Sequence, residues 1–443
     1  MELIHVIKEL LEQKKYATVR DILLEMHPAD VAQMFEDMDK REISLLFRLM
    51  PKEQAAETFV ELEADNQEAL IKAFSYNELK EVLDELYLDD AVDLVEEMPA
   101  NVVRRILQNT DEVTRKMINQ ILKYPKDSAG SIMTIEYVNL KENMTVADAF
   151  QTIRRTGIDK ETIYSCYVTD QNRYLKGIVS AKGLLLSESD ALISEIMNED
   201  VISVLTTDDR EEAAQKLQMY DLLAMPVVDH ENRLVGIITI DDAIDVIEQE
   251  ATEDIEMMAA ITPTDKPYLK TGVFETWWKR IPWLLLLMIS ATFTSVIINR
   301  YDTALATLGL AAFMPMLMGT GGNAGSQASV AVIRALSLGE VEMGDILRIV
   351  WKELRVSILC GVTMAVATFG KLLLIDRPTT MTAVVVSLTL VATIVTAKLV
   401  GCILPVLAKR VGFDPAVMAS PFITTIVDAL SLIIYFDIAT AIL

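Results

Sequence analysis

The C-terminal part of the chain is dominated by long runs without a charged residue. Residues 281–299, 303–333, 356–370 and 378–397 form such runs, and residues 415–436 are interrupted only by Asp428. A bilayer core about 30 Å thick is crossed by a helix of roughly 20 apolar residues. The pattern therefore predicts a bundle of five transmembrane helices, near residues 281–300, 303–336, 346–373, 378–408 and 414–440.

Charge divides the chain near residue 270. Residues 1–270 contain 28 Lys and Arg against 55 Asp and Glu, whereas residues 271–443 contain 12 against 10. A region of net charge −27 has no basic patch with which to bind nucleic acid, and it attracts cations. The three cysteines are scattered without a CxxC pair, which favours a reducing compartment over a disulfide scaffold.

Basic residues next to the apolar runs predict the orientation in the membrane. Lys279 and Arg280 precede the first predicted helix, and Lys409 and Arg410 follow the fourth. Because positive charge stays on the cytoplasmic side, both pairs and the acidic region are expected there. No signal peptide is apparent before the acidic region. We therefore expect a multi-pass protein in contact with lipid of the plasma (inner) membrane, with its C-terminus outside.

The second predicted membrane helix contains the segment GTGGNAGSQ, from Gly319 to Gln327. Four glycines, Gly321 and Gly322 among them, weaken a helix, and irregular backbone at membrane depth is tolerated only against protein or a water-filled cavity. Asn323 and Ser326 add polar groups, which favours a pore lining. Close packing of helices through small residues is the alternative.

The fifth predicted helix contains a carboxylate in mid-membrane, Asp428, one turn after Thr424 and Thr425. Such a charge costs on the order of 2.5–3.5 kcal/mol, so it usually faces a cavity and handles ions. A structural ion pair with Lys398 of the fourth helix is the alternative. The sequence favours a cation pathway.

Residues 132–255 contain an internal repeat. Val168-Thr169-Asp170 followed by Gly177-Ile178-Val179-Ser180 recurs as Val228-Asp229 followed by Gly236-Ile237-Ile238-Thr239, and Ser131-Ile132-Met133 is echoed by Glu195-Ile196-Met197. Each unit predicts a helix, two short strands joined by a polar turn, and a helix from Ala181 or Asp241. This order resembles a tandem pair of α+β CBS domains.

CBS pairs often bind adenine nucleotides through a Ser/Thr-x-x-Asp after the second strand. Thr239 and Asp242 match that pattern, whereas Ser180 is followed by Gly183 where the acid is expected. The resemblance thus implies one nucleotide site, for example for ATP. A structural or ion-sensing pair is the open alternative.

Helical signals surround the CBS pair on both sides. Before it, residues 1–130 lack strand alternation, and helix-opening patterns at His27-Pro28, Met50-Pro51, Leu88-Asp89 and Met98-Pro99 predict short helices in a solenoid. After it, eight acids among residues 241–256 predict an acidic connecting helix. A solvated acidic face explains them, as do oxygen ligands for Mg²⁺ or Ca²⁺.

The whole chain resembles the MgtE family of magnesium channels. The resemblance rests on EATEDI (Glu250 to Ile255), GGNAGSQ in the second predicted membrane helix, Asp414-Pro415-Ala416, and TTIVDAL in the fifth. It implies a multidomain membrane protein with an N-terminal helical domain (1–130), two CBS domains (131–194 and 195–255), a connecting helix (243–272) and a transmembrane domain (273–443).

The resemblance also implies functional residues and partners. A homodimer would hold hydrated Mg²⁺ between two copies of Asp428, with Asn323 near the filter and Ser420 where the family has Asn. Cytosolic Mg²⁺ would close the channel by binding acids of the soluble region, which correspond here to Asp90, Asp93, Asp221, Asp242, Asp245, Glu250, Glu253, Asp254 and Asp414.

Other classes of protein explain the sequence less well. An enzyme is not expected, because there is no histidine-based dyad and no Walker loop. A CBS-regulated transporter of another divalent cation, such as Mn²⁺ or Co²⁺, or of a small solute is the alternative function. A soluble sensor would have no use for Asp428.

Overall fold

The computed structural model describes residues 2–264, 268–269, 271–301, 310–418 and 420–442. Two compact units divide the chain, Met1–Ile247 and Glu248–Leu443. The boundary between them falls within a single helix, and each unit is built around its own apolar clusters.

The first unit begins with a stack of short helices in which alternate members pack on each other, α3 on α5, α4 on α6, α5 on α7 and α7 on α9. This arrangement confirms the helical N-terminal region. The helices are α1 (Glu2–Glu12), α2 (Tyr16–Glu25), α3 (Pro28–Glu36), α4 (Lys40–Phe47), α5 (Lys52–Val60), α6 (Ala64–Ala73), α7 (Tyr76–Leu83), α8 (Leu88–Glu97), α9 (Ala100–Asn109) and α10 (Glu112–Ile121).

The predicted helix starts are confirmed at all four places. Helices α3, α5, α8 and α9 begin within two residues of the Pro or Asp that marks them in the sequence. At α3 the N-terminal cap is His27, whose Nδ1 accepts a hydrogen bond from the Ala29 amide at 3.3 Å. Proline at the next position has no amide hydrogen to leave unsatisfied.

Two three-stranded sheets of identical topology follow. The first contains β1 (Tyr137–Leu140), β2 (Thr162–Thr169) and β3 (Leu175–Ser180), and the second contains β4 (Val204–Leu205), β5 (Ala224–Val228) and β6 (Leu234–Thr239). In each sheet the first strand is parallel to the second, and the second is antiparallel to the third. The accompanying helices are α11 (Val146–Thr156), α12 (Ala181–Leu186), α13 (Ile193–Ile196) and α14 (Arg210–Met219). The tandem repeat is therefore confirmed.

The glycines and methionines that recur in the two repeats contact each other between the repeats: the glycine of each repeat packs against the methionine of the other. A Cβ on Gly177 would lie 2.8 Å from Met197 Sδ, and a Cβ on Gly236 would lie 2.8 Å from Met133 Sδ. Each strand glycine therefore packs against the methionine of the segment that crosses its sheet. Only glycine leaves room for that methionine, which explains why both features recur together.

The connecting helix is shorter than predicted. Helix α15 runs Ile240–Met258, starting three residues before 243 and ending well before 272. Its end is a Schellman motif in which Ala260 has φ of 55°, the Ala260 amide bonds to Met257 O, and the Ile261 amide bonds to Glu256 O. The sequence prediction missed this stop because alanine rarely adopts a left-handed conformation.

The second unit contains long helices: α16 (Val273–Arg300), α17 (Met314–Ser337), α18 (Ile346–Lys371), α19 (Thr380–Val411) and α20 (Ser420–Ile442). Of the described helical segments, four are long and apolar enough to span a membrane, Val273–Arg300, Met343–Asp376, Thr380–Val411 and Pro415–Ile442. Helix α17 corresponds to the remaining predicted span, whose first residues lie partly outside the described residues. Its 24 residues measure about 36 Å, and it packs on α19 and α20.

The expected break in this helix is wrong, because GTGGNAGSQ is α-helical throughout. A Cβ on Gly321 would lie 2.6 Å from Thr393 Cγ2, and one on Gly401 would collide with the carbonyl oxygen of Gly325. Gly321 and Gly325 therefore serve the alternative role, close helix packing. In a bilayer the backbone has no water to bond with, so a glycine-rich segment keeps its helical hydrogen bonds.

Candidate ion pathway and acidic cluster

Carboxylates from three separate segments meet in the first unit. Asp89, Asp90 and Asp93 lie in α8, Glu161 precedes β2, and Asp242 lies in the first turn of α15. The Asp90 amide donates to Asp89 Oδ1 at 3.1 Å, and Thr239 Oγ1 donates to Asp242 Oδ2 at 2.6 Å. We call these five carboxylates the acidic cluster.

Burial and mutual repulsion raise the pKa of every member of the acidic cluster. Burial raises the pKa of Asp90 and of Asp242 to about 6, with repulsion from Asp241 adding to both. Burial, then Asp241 and Asp242, raise the pKa of Glu161 to about 8. Asp89 is 8% exposed, and burial followed by Asp242 raises its pKa well above the usual range.

Asp93 stands at the open edge of the cluster. The surrounding protein, then Asp242 and Asp90, raise its pKa, yet more than a third of its surface faces solvent. The pKa of Asp93 is therefore raised although Asp93 is the most exposed member of the cluster.

The cluster holds negative charge at a free-energy cost that a divalent cation would relieve. Mg²⁺ and Ca²⁺ bind carboxylate oxygen, and binding requires the deprotonated form. Among the described residues no three His, Cys, Asp or Glu side chains already stand as a metal-binding group. A cation would therefore have to draw these side chains closer together.

The structure brings some of the predicted acids together and leaves others apart. Asp90, Asp93 and Asp242 belong to the cluster, whereas Asp221 lies in an exposed turn after α14, with φ of 51°. Asp245 is exposed on α15. Sequence reasoning missed Asp89 and Glu161. The i, i+4 spacing of Asp89 and Asp93 could have indicated the first, because it places both on one helix face.

A second, smaller group of acids lies in the second unit. Ser337 Oγ donates to Asp254 Oδ2 at 3.4 Å, and burial followed by repulsion from Asp414 raises the pKa of Asp254. The Ala416 amide donates to Asp414 Oδ1 at 2.7 Å, which fixes this carboxylate at the start of a 3₁₀ turn. Glu250 and Glu253 lie on the same part of α15 as Asp254.

Asp428 lies within α20 and is half-buried within the single chain. One turn earlier, Thr424 Oγ1 and Thr425 Oγ1 donate to Pro421 O at 2.9 and 3.0 Å. Each hydroxyl oxygen keeps lone pairs that can accept hydrogen bonds from water. This end of the helix therefore presents oxygen atoms.

Helix α17 lies directly against this part of α20. A Cβ on Gly322 would be 3.0 Å from Thr424 Cγ2, and one on Gly321 would be 2.9 Å from Ser431 Oγ. Asn323 and Gln327 are exposed on the same helix, and Ser326 is half-buried. Of the proposed filter residues, the side chain of Ser420 lies outside the described residues.

Lys398 does not pair with Asp428, so that alternative is wrong. Its Nζ lies 3.5 Å from Glu353 Oε2 of α18, and the two side chains are 7% and 13% exposed. The sequence did not indicate Glu353 as its partner, because the pairing depends on how α18 and α19 rotate about their axes. Asp428 therefore lacks Lys398, the basic partner that the alternative prediction assigned to it.

The nucleotide motif is formed in one repeat only. Thr239 and Asp242 are hydrogen-bonded to each other, whereas Ser180 Oγ accepts from the Gly183 amide at 3.0 Å and caps α12. Because the Thr239 hydroxyl and the Asp242 carboxylate already bond, a ribose would compete with that contact. Asp242 also belongs to the acidic cluster, so nucleotide and cation would meet at one carboxylate.

A helical acidic region, a CBS pair and a bundle of apolar helices with an isolated mid-helix carboxylate define a regulated cation transporter of the membrane. The family models that match are "MgtE intracellular N domain" over residues 26–127, "CBS domain" over 129–189 and 193–249, and "Divalent cation transporter" over 314–438.

Full-length relatives agree with these matches. The magnesium transporter MgtE of Thermus thermophilus is 36% identical over 99% of this chain and 98% of its own length. The magnesium transporter MgtE of Bacillus subtilis is 33% identical over 99% and 97%. The chain belongs to the MgtE family.

Among solved structures, the cytosolic domain of the Mg²⁺ channel MgtE in complex with ATP matches with a TM-score of 0.53 and 36% identity. It covers 55% of this chain and 99% of that one. The similarity shows that the helical region and the CBS pair of this chain share the fold of that cytosolic domain.

Proposed function

We propose that this protein carries Mg²⁺ into the cell along a path that passes Asp428. The observation that carries the proposal is a carboxylate within a membrane helix whose predicted basic partner, Lys398, is instead paired with Glu353. An isolated intramembrane carboxylate attracts a cation. Full-length relatives named magnesium transporters make Mg²⁺ the cation to test first.

The path requires two copies of the chain. Mg²⁺ loses its water reluctantly, so a selective site has to recognise the hydrated ion through several oxygen atoms. One chain offers Asp428 and the hydroxyls of Thr424 and Thr425, with the amide of Asn323 on the exposed face of α17. A homodimer with these residues at its axis doubles that number of ligands.

The acidic cluster is the proposed sensor for cytosolic Mg²⁺. At low Mg²⁺ its carboxylates repel one another and the segments that carry them separate. At high Mg²⁺ the bound ions hold α8 against the start of α15. The acids at the far end of α15, Asp254 with Glu250 and Glu253, are proposed to bind Mg²⁺ together with Asp414.

The domain limits and the topology belong to the same proposal. The helical region occupies residues 1–130, the CBS domains 131–194 and 195–255, and the transmembrane domain 273–443. The acidic region faces the cytoplasm and the C-terminus lies outside. ATP is proposed to bind at Thr239 and Asp242, on the strength of the relative crystallised with ATP.

Flux of Mg²⁺ into proteoliposomes tests the pathway. Asp428→Asn removes the charge with almost no change in volume, and we expect a loss of flux of at least about 100-fold, the factor that about 2.7 kcal/mol represents. Asp437→Asn is the matched control, since Asp437 lies near the end of the same helix and bonds Tyr301 at 3.2 Å. Equal flux in Asp428→Asn and the wild type would exclude the path.

Internal Mg²⁺ tests the sensor separately. In vesicles that expose the acidic region to a known Mg²⁺ concentration, Asp90→Asn with Asp242→Asn should keep full flux but lose inhibition by Mg²⁺. A control with Asp84→Asn, on the exposed C-cap of α7, should be inhibited like the wild type. Unchanged inhibition in the double variant would refute the sensor and leave the pathway standing.

Transport of another divalent cation is the second candidate function. It is favoured because the family model that matches residues 314–438 is that of a divalent cation transporter, without a named ion. Competition by Mn²⁺ and Co²⁺ in the same flux assay separates the two. Mn²⁺ or Co²⁺ flux that exceeds Mg²⁺ flux at equal concentration would make the protein a general divalent-cation transporter.

A further inference from the structure

A cavity of about 290 Å³ lies where α15 ends and α16 begins. The Schellman end of α15 turns the chain back toward α16. There the Thr262 amide donates to Lys279 O at 3.2 Å, and Lys279 Nζ donates to Pro263 O at 2.7 Å. These two bonds hold the turn against α16 and keep the cavity open between the two helices.

Among the described residues, the lining of the cavity is mostly polar and carries a net positive charge. Lys279 and Arg280 face Glu256, with hydroxyls from Thr252, Thr262 and Thr276 around them. The Glu256 carboxylate already accepts from the Thr264 amide at 2.9 Å. Lys279 has two further N–H donors and Arg280 has five, so the described lining offers more donors than acceptors, which suits an anion.

The cavity lies beside a segment with the composition of a membrane–water interface. Trp277 and Trp278, next to Lys279, are 53% and 67% exposed, and Phe274 is 86% exposed. The apolar run 281–299 begins directly after Arg280. Exposed aromatic side chains between a basic pair and an apolar span are typical of the interface between membrane and water.

We propose that this cavity binds the phosphodiester headgroup of an anionic glycerophospholipid from the cytoplasmic leaflet. Lys279 and Arg280 would hold the phosphate, as basic pockets beside membrane helices hold lipid headgroups. The exposed aromatic side chains would contact the glycerol and the upper acyl chains. Such contacts distinguish a lipid from free phosphate, which offers no apolar part.

The chain passes from the acidic region to the membrane helices through α15 and then α16. A bound lipid would link the end of α15 to α16. The lipid would therefore stabilise one arrangement of this joint. The binding itself does not depend on the proposed function, because it is measured without transport.

Native mass spectrometry of the full chain in detergent, with phosphatidylglycerol or phosphatidylcholine added, tests the proposal. The wild type should retain phosphatidylglycerol in preference to phosphatidylcholine. Lys279→Gln with Arg280→Gln should weaken that retention about 25-fold, since each basic residue near an anionic headgroup contributes about fivefold. Arg280→Gln alone keeps the bond from Lys279 to Pro263 and should weaken retention about fivefold.

Lys409→Gln with Arg410→Gln is the matched control, because it removes two adjacent positive charges at the end of α19 and leaves the cavity intact. Its retention should equal that of the wild type. An equal loss in the control would reduce the effect to general surface charge and overturn the proposal. Displacement of the lipid by inorganic phosphate at equal concentration would also overturn it, by making the site one for soluble phosphate.

Discussion

The acidic cluster of the first unit and the ion pair of the membrane helices place buried charge in opposite surroundings. In the cluster, burial and neighbouring carboxylates act in the same direction on Asp89, Asp90 and Asp242. In the membrane helices, Glu353 lies 3.5 Å from Lys398. We therefore expect the cluster to respond to pH and, under the proposed function, to cations, whereas the pair neutralises itself.

This difference fits the two tasks that we propose for these regions. A sensor has to be unstable in one ionic condition, and repulsion between carboxylates supplies that instability. A membrane helix that lines a path has to stay in place whatever the cation concentration. An internal pair achieves that because neither partner needs an ion from solution.

The largest effect is expected from breaking the membrane pair. Glu353→Gln leaves Lys398 charged and buried, which should cost about 3–5 kcal/mol in the free energy of unfolding. Lys398→Met with Glu353→Gln removes both charges and should restore most of the loss. Unfolding in mixed detergent micelles measures both variants. A double variant as unstable as Glu353→Gln would show that the pair is not what stabilises α18 against α19.

The acidic cluster should make the cytosolic part less stable as the pH rises. A carboxyl group whose pKa is raised on folding binds its proton more tightly in the folded chain. The loss of folding stability is therefore absent below the pKa of a carboxyl group in the unfolded chain, about 4. It is complete above the highest pKa in the folded chain, about 8 for Glu161. A tenfold difference in proton affinity between the folded and unfolded chain corresponds to about 1.4 kcal/mol, so the loss should reach several kcal/mol.

Thermal unfolding of residues 1–258 between pH 4 and 9 measures this loss, since the corresponding part of relatives has been crystallised by itself. Asp90→Asn should flatten the dependence, and Asp84→Asn should leave it unchanged. Mg²⁺ should raise the unfolding temperature more at pH 8 than at pH 5, because protonated carboxylates do not bind it. A stability that rises with pH over this range would contradict the account.

Local patterns predicted most of the fold. The Pro and Asp helix starts, the repeated strands and the apolar spans all depend on neighbouring residues, so the sequence contains them directly. The end of α15 at Ala260 and the continuity of α17 were not predictable in the same way. The first uses a conformation that alanine seldom adopts, and the second depends on the absence of water in the bilayer.

The candidate site was predicted less completely, because it depends on distances between remote segments. Asp90, Asp93 and Asp242 were predicted only through a family resemblance, and Glu161 joins them from a loop before β2. The partner of Lys398 could not be chosen between Asp428 and Glu353 from sequence, since the choice depends on helix rotation. The composition indicated that acidic residues bind cations, but it did not indicate which of them lie close together in the fold.

A smaller effect is expected where the membrane helices touch through glycine. Gly401→Ala places a methyl group against the Gly325 carbonyl, and overpacking of this kind costs about 1–3 kcal/mol. Gly319→Ala is the control on α17, because nothing lies within 4 Å of its new Cβ. It should be neutral or stabilising by less than about 1 kcal/mol. Equal effects on unfolding in micelles would mean that α17 and α19 are not in close contact.

The smallest effect should come from an ion pair in water. Lys116 and Glu112 lie 2.7 Å apart on α10, closer than Lys398 and Glu353, yet their side chains are 74% and 71% exposed. Lys116→Met should change the free energy of unfolding of the cytosolic part by less than about 0.5 kcal/mol, because water solvates the glutamate that remains. A loss as large as that of Glu353→Gln would show that distance, and not burial, determines the strength of an ion pair in this protein.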